Sequence, residues 1–365
     1  MKRLLWVLLF FMLLYANVYS QDIDANKESN ITEKGELLLE IRSNAFFDNL
    51  EFFNNIQRGY TLTGFNFEPR LAYEIKSKAK ISGGVHLLYF SGERELTRVA
   101  PVLTFSTKLT KGLTLNLGTI NGKGRHGLPE QLFKAEREFT HQPENGVQFF
   151  FKASHIEGET WVNWERSLFK RDTIQEEFTA GISAKILAIN GENLNLSLPL
   201  YALAVHKGGQ INVSSFPVST LANVAGGVNL SNRFSGFGTI GFESLLVHGR
   251  DISPNPHHPY KKGWAIFPRV YYKSHKWFAD MGYWKAKDMI LPRGEEIFGS
   301  VSTVSPAFNV SERELITGNI LYSKDVAKGF SLAIGGKIYY DIRNSLMDYR
   351  FFFVASFNDT FLIRR

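Results

Sequence analysis

Period-two alternation along most of the chain, short and long connections in turn between the alternating segments, and a short cationic-apolar leader together predict an all-β fold. The form expected is an antiparallel transmembrane β-barrel of about sixteen strands. In the leader, Lys2 and Arg3 precede an apolar run over residues 4–15, and Val18 and Ser20 stand at −3 and −1 of a cut before Gln21. Twelve apolar residues are too few to span a bilayer. Removing residues 1–20 leaves 365 − 20 = 345 residues, with 42 − 2 = 40 basic against 35 acidic side chains, a net +5. Those cations are scattered beside Asp and Glu, so no basic stripe marks a nucleic-acid partner. The chain has no Cys and no later apolar stretch long enough for a spanning helix. A disulfide framework, a Cys-ligated zinc and a helical membrane protein are thereby excluded.

The strands follow in order. Ala79, Ile81, Gly83, Val85, Leu87 and Tyr89 form one apolar or small face against Lys80, Ser82, Gly84 and His86. Val99 to Phe105, Phe178 to Ile186, Trp264 to Tyr272 and Phe330 to Tyr340 repeat the pattern. Such segments are expected near 36–46, 60–75, 79–90, 96–108, 112–121, 146–156, 159–167, 176–188, 193–206, 220–231, 236–249, 262–273, 276–286, 309–322, 329–342 and 346–363. At about 3.3 Å per residue and a tilt near 40°, most cover a hydrocarbon layer of about 25 Å, whereas strands of a soluble sandwich run to about five or six residues. Tyr60, Tyr89, Trp161, Trp264, Trp277, Tyr283, Tyr322 and Tyr340 lie near segment ends, where amphipathic rings meet lipid interfaces. Tight turns such as 76–78, 110–112 and 190–192 alternate with connections at 47–59, 91–95, 121–145, 168–175, 207–219, 250–261, 287–308 and 343–345, most of them long and polar. All turns then fall on one rim and all loops on the other.

In leader, absence of Cys, aromatic-flanked strands and turn-loop rhythm, residues 36–365 resemble the Gram-negative outer-membrane β-barrels as a class, in its porin-like size range. The chain departs from that class at its last position, which is Arg365 rather than an aromatic residue. The resemblance implies location in the cell outer membrane, contact with outer-membrane lipid and lipopolysaccharide, small hydrophilic solutes as cargo, and compatibility with an oligomer. It also implies a domain order of signal peptide (1–20), flexible periplasmic segment (21–35) and barrel (36–365). No cofactor and no metal are expected.

Taking the polar phase of each strand as inward puts Arg42, Arg70, Arg98, Lys152, Lys185, Arg269, Lys273 and Lys337 in the lumen, opposite Glu40, Glu68, Glu165, Glu243, Asp280 and Asp341. A water-filled lumen with that small basic surplus would weakly favour anions. In loop 121–145, Leu128-Pro129 is read as the start of a short helix running to about Phe139. Folded into the pore, it would bring Lys123, Arg125, Glu130, Glu136, Arg137 and Glu138 to a constriction. The glycines of Asn121 to Gly127 read as loop flexibility, since no phosphate-loop context surrounds them.

Six of the nine histidines (His126, His141, His206, His248, His257 and His258) fall on the predicted loop rim. His206 or His248 with Ser244 or Asp251 would make a hydrolytic pair, but no nucleophile-elbow or zinc-protease spacing supports one. The adjacent His257 and His258 lack further ligands for a metal. The expectation is a non-enzymatic, porin-like channel for passive diffusion. An export or assembly barrel and a surface hydrolase are the alternatives.

Overall fold

The computed structural model describes residues 35–75, 78–169, 172–209, 214–305 and 308–364. The expected signal peptide, and the N-terminal segment up to residue 34, lie outside them. Sixteen strands form: β1 (Glu36–Glu51), β2 (Tyr60–Ile75), β3 (Ala79–Phe90), β4 (Arg98–Thr110), β5 (Leu113–Thr119), β6 (Asn145–Lys152), β7 (Ile156–Arg166), β8 (Glu177–Asn190), β9 (Leu194–Lys207), β10 (Ser219–Phe234), β11 (Gly238–Asp251), β12 (Lys262–Lys273), β13 (Trp277–Lys287), β14 (Glu312–Ala327), β15 (Phe330–Asp341) and β16 (Leu346–Arg364). Each pairs antiparallel with its sequence neighbours, and β1 pairs with β16 from Leu37↔Arg364 to Glu51↔Tyr349, so the sheet is a closed barrel without an edge.

Alternation fixes the two faces. On β2, Phe65, Phe67, Leu71 and Tyr73 are exposed on the outside, while Asn66, Glu68, Arg70 and Glu74 are buried within. The same apolar exterior recurs in Leu103, Ile182, Leu230, Leu246, Val270, Ile320, Ile338 and Phe351. A surface this apolar belongs in hydrocarbon, and the chain is a transmembrane barrel of the outer membrane. The ends of β1 and β16 meet on the rim of short turns, and the long connections crown the other rim.

At the loop rim the lumen is filled. β5 and β6 are the shortest strands, so the chain leaves the wall early at Ile120 and carries Leu128, Leu132 and Phe133 into the interior with almost no exposure. The expected helix is confined to Arg137–Thr140: one turn closes on the Pro129 carbonyl, and then the Lys134 N–H leaves for Arg293 O instead of continuing the run. The connection after β13 enters from the other side. The sequence places it among the polar loops, yet Met289, Ile297 and Phe298 are fully buried in it. Phe298 sits edge-on against Trp284, Phe267 and Tyr339, with ring centroids 5.3, 6.4 and 5.7 Å apart. The two loops bond through their backbones, Lys134 N–H to Arg293 O (2.8 Å) and Glu295 N–H to Glu130 O (2.9 Å). Gly294 is required there, since a Cβ would lie 2.0 Å from the Gln131 carbonyl oxygen. The loop between β1 and β2 completes the plug. Gln57 donates to Glu295 (2.6 Å) and accepts from the Ile297 N–H (2.8 Å), and Thr303 N–H reaches Ile56 O (2.8 Å). Each large apolar side chain buried here contributes about 1.5–3 kcal/mol relative to exposure.

Candidate functional site

The polar lumen residues are largely spoken for by one another. Glu68 takes Arg70 at 2.8 Å and His86 at 3.0 Å, with Arg42 at 3.8 Å. Arg269 lies between Glu243 (2.8 Å) and Asp280 (3.8 Å), and Asn319 donates to Asp280. Lys152 and Lys185 share Glu157 beside the short-turn rim, at 3.6 and 2.8 Å. Arg98 donates to the Gln142 carbonyl (2.9 Å). Of the loop residues, Lys123 reaches Asn358 across the lumen (2.9 Å), Glu130 pairs with Lys337, Arg125 donates to Leu128 O, and Glu136 holds Lys134 (2.9 Å). Arg137 pairs with Glu165 (2.9 Å). Burial pushes the Glu138 carboxyl up, against Arg125.

The glycine-rich stretch is strained rather than slack. Gly124, Arg125, His126 and Gly127 are all left-handed, at φ 61°, 56°, 54° and 67°. Two of them carry side chains that pay about 1–2 kcal/mol each for this conformation. What holds them is His126, fully buried, its ring stacked on Trp161 at 3.9 Å and 7°. Its Nε2 donates to Glu144 (2.8 Å) and its Nδ1 to Glu159 (3.3 Å). Burial opposes the charge, but the Glu144 and Glu159 carboxylates outweigh it and raise the imidazole to about 9. With both nitrogens committed, His126 is a structural cation and not a base.

The open chemistry lies at the loop rim. Asp251 ends β11 facing inward, buried, and closes its loop by donating its N–H to Lys261 O (2.9 Å). The chain turns at once: Ser253 donates both its N–H (2.9 Å) and its hydroxyl to Asp251 Oδ1, an Asx-type turn. Thr220 N–H in turn donates to the Ser253 hydroxyl oxygen (2.9 Å). The turn swings the chain back so that His258 Nδ1 donates to Asp251 Oδ2 (2.8 Å). With Nδ1 the donor, Nε2 of the neutral ring is an acceptor. His258 lines a cavity of about 380 Å³ together with Lys207, Arg293, Val205, Leu221, Phe216 and Pro217. Arg293 is neutralised by Glu165 (2.9 Å) and Glu177 (2.6 Å), whereas the half-exposed Lys207 shares Glu177 at 3.2 Å. The arrangement offers an oriented base, an ammonium group and apolar walls in one cavity. Among the described residues no cluster of three or more His, Asp or Glu is placed to hold a metal ion.

Sequence reasoning named Asp251 but paired it with the wrong histidines. Exposure alternates along β11, placing His248 outside and Asp251 inside, and His206 hydrogen-bonds Thr220 (2.8 Å) instead. His258, Lys207 and Arg293 were missed as a group. The signal available was Asp251-x-Ser253 followed by the Pro- and Asn-rich run to His258, which reads as a tight return to the strand end.

Residues 25–365 match the lipid A 3'-O-deacylase-type family (Lipid_A_deac). That is an enzyme family, and the match overturns the non-enzymatic expectation. The missing motifs carried no weight, because a site built at the loop ends of a barrel draws on residues that no fixed sequence spacing relates. No curated protein matches the chain in sequence. Among solved structures, OmpTdeltaL8, a loop L8 deletion mutant of the Vibrio cholerae outer membrane protein OmpT, is similar at TM-score 0.50 and 12% identity, over 89% of this chain and 99% of that one. OpdK of Pseudomonas aeruginosa, solved with vanillate, is similar at TM-score 0.50 and 8% identity over the same shares. At such identities the likeness is one of fold.

Proposed function

Because the chain belongs to the lipid A 3'-O-deacylase-type family, we propose that it is an outer-membrane deacylase that hydrolyses an acyl ester of lipid A at its loop end. The observation that carries the reading is the His258–Asp251 pair over a cavity with apolar walls. His258 Nε2 takes a proton from water as the water oxygen bonds to the acyl carbonyl carbon, and the carbonyl electrons move onto oxygen. Lys207 faces the resulting oxyanion, while Asp251 holds the ring and balances the imidazolium. Collapse breaks the ester C–O bond, and the imidazolium returns its proton to the departing sugar alkoxide. A free fatty acid and a hydroxyl remain. Val205, Leu221, Phe216 and Pro217 are the walls an acyl chain would follow.

The test is mass spectrometry of lipid A from cells carrying the protein. Wild type should remove one acyl chain. His258→Ala should lower the rate by about 10²–10⁴ and Asp251→Asn by a comparable factor, with barrel folding retained. Full activity in His258→Ala would discard this site.

The porin-type fold favours a second reading, passive diffusion of small hydrophilic solutes with weak anion preference. On that reading the lumen charges from Arg42 to Lys337 line the path and residues 123–138 narrow it. Stable conductance steps in a planar bilayer, reversing on the anion side of a salt gradient, support it; silence from correctly folded protein rejects it.

A further inference from the structure

The lipid-facing side of the wall carries a feature that hydrolysis does not use. At the loop ends of β11, β12 and β13, Arg250 lies directly opposite Lys262, and Trp264 lies between His248 on one side and Lys287 on the other. Arg250, Lys262 and Lys287 are exposed, each beside a buried neighbour, so all three point away from the lumen. Among the described residues none of them has an ion pair or a side-chain hydrogen bond. Like charges facing each other across a strand pair repel. With strands about 4.8 Å apart, the three cations form a front about 10 Å wide. Trp264, 46% exposed one outward position below Lys262, sets this front at headgroup level.

Directly beneath it, on the same outer face, lies an apolar groove of about 450 Å³. Leu200, Val224, Leu246 and Trp264 wall it, and Gly226 keeps it open: a Cβ there would stand 3.3 Å from Leu200 Cδ2. A groove facing hydrocarbon is filled by a lipid tail. One glycerophospholipid brings one phosphate to such a front, whereas a disaccharide lipid phosphorylated at both ends brings two, which matches its breadth.

We propose that this face binds a doubly phosphorylated acyl glycolipid of the outer leaflet, its phosphates against Arg250, Lys262 and Lys287 and one acyl chain in the groove over Gly226. The site breaks no bond in its ligand and stands independently of His258.

The experiment is native mass spectrometry of the full exported chain in detergent, offered bisphosphoryl lipid A, monophosphoryl lipid A or phosphatidylglycerol at equal molar excess. Wild type and His258→Ala should both retain bisphosphoryl lipid A about tenfold better than either single-phosphate lipid. The double variant Arg250→Glu/Lys262→Glu should lose that preference, and Gly226→Leu should lower retention of all three lipids. Heat-modifiable migration reports folding; should the charge reversal fail to fold, Lys287→Glu and Gly226→Leu carry the test. Equal retention of phosphatidylglycerol and bisphosphoryl lipid A, or unchanged binding in the charge-reversed or groove-filled variants, overturns the proposal. Loss of deacylation in His258→Ala with binding intact separates this site from the hydrolytic one.

Discussion

His126 converts a buried charge into a pH dependence whose sign can be stated. Its folded value of about 9 lies above the ordinary 6.5, because Glu144 and Glu159 overcome the cost of burial. The folded chain therefore holds a proton that the unfolded chain has released between those values. The stabilisation is complete below about pH 6.5 and is lost as pH rises through about 9. The melting temperature in detergent should fall across that window for wild type and stay flatter for His126→Gln; parallel curves would show that the imidazolium does not hold the turn. Next to it, Arg125 occupies a left-handed position, its side chain donating to the Leu128 carbonyl (3.3 Å) and facing the Glu138 carboxyl. Arg125→Gly should stabilise the protein by up to about 1 kcal/mol, read as a small rise in melting temperature. Neither effect was visible in the sequence. Asn121 to Gly127 looked slack because glycine spacing reports freedom, whereas what fixes this turn is a ring stack and two carboxylates from elsewhere in the chain.

At the scale of elements, the strands were legible and the plug was not. Each of the sixteen expected segments overlaps an observed strand, because one lipid-facing side forces alternation that any register must respect. The same alternation forbids His248 from reaching Asp251: three positions apart on one strand, they point to opposite faces. His258 escapes that rule because it lies on the loop that folds back. Loops follow no such period. The connection after β13 betrayed itself only through Met289, Leu291, Ile297 and Phe298, too apolar to stand in water. Phe298→Ala should cost about 3–5 kcal/mol of loop docking, since the ring packs against three aromatic side chains and leaves a cavity. Limited proteolysis within residues 288–311 measures this; unchanged protection would mean that the backbone bonds to residues 130–134 suffice.

For the whole molecule, fold class and membrane location followed from composition and rhythm, but the reaction did not, because the groups that could perform it, Lys207, Asp251 and His258, come from β9, β11 and the loop after β11. Deleting residues 290–304 removes Ile297 and Phe298 and should raise conductance several-fold over wild type. Equal conductance would place any ion path elsewhere. The closure of the barrel carries a further consequence for how the protein comes into being. β1 has one partner in β2 and its other in β16, whose pairing joins residue 37 to residue 364. Until the final strand has been exported, β1 presents an open edge, and Arg350 of β16 is not there to meet Asp48 at 2.6 Å or to face Glu295 of the plug at 3.8 Å. Assembly is thus a decision taken once, on the chain with its last strand: a product cut short before β16 lacks both the seam and the anchor of its own stopper, and is left as an unpaired sheet for proteases to clear.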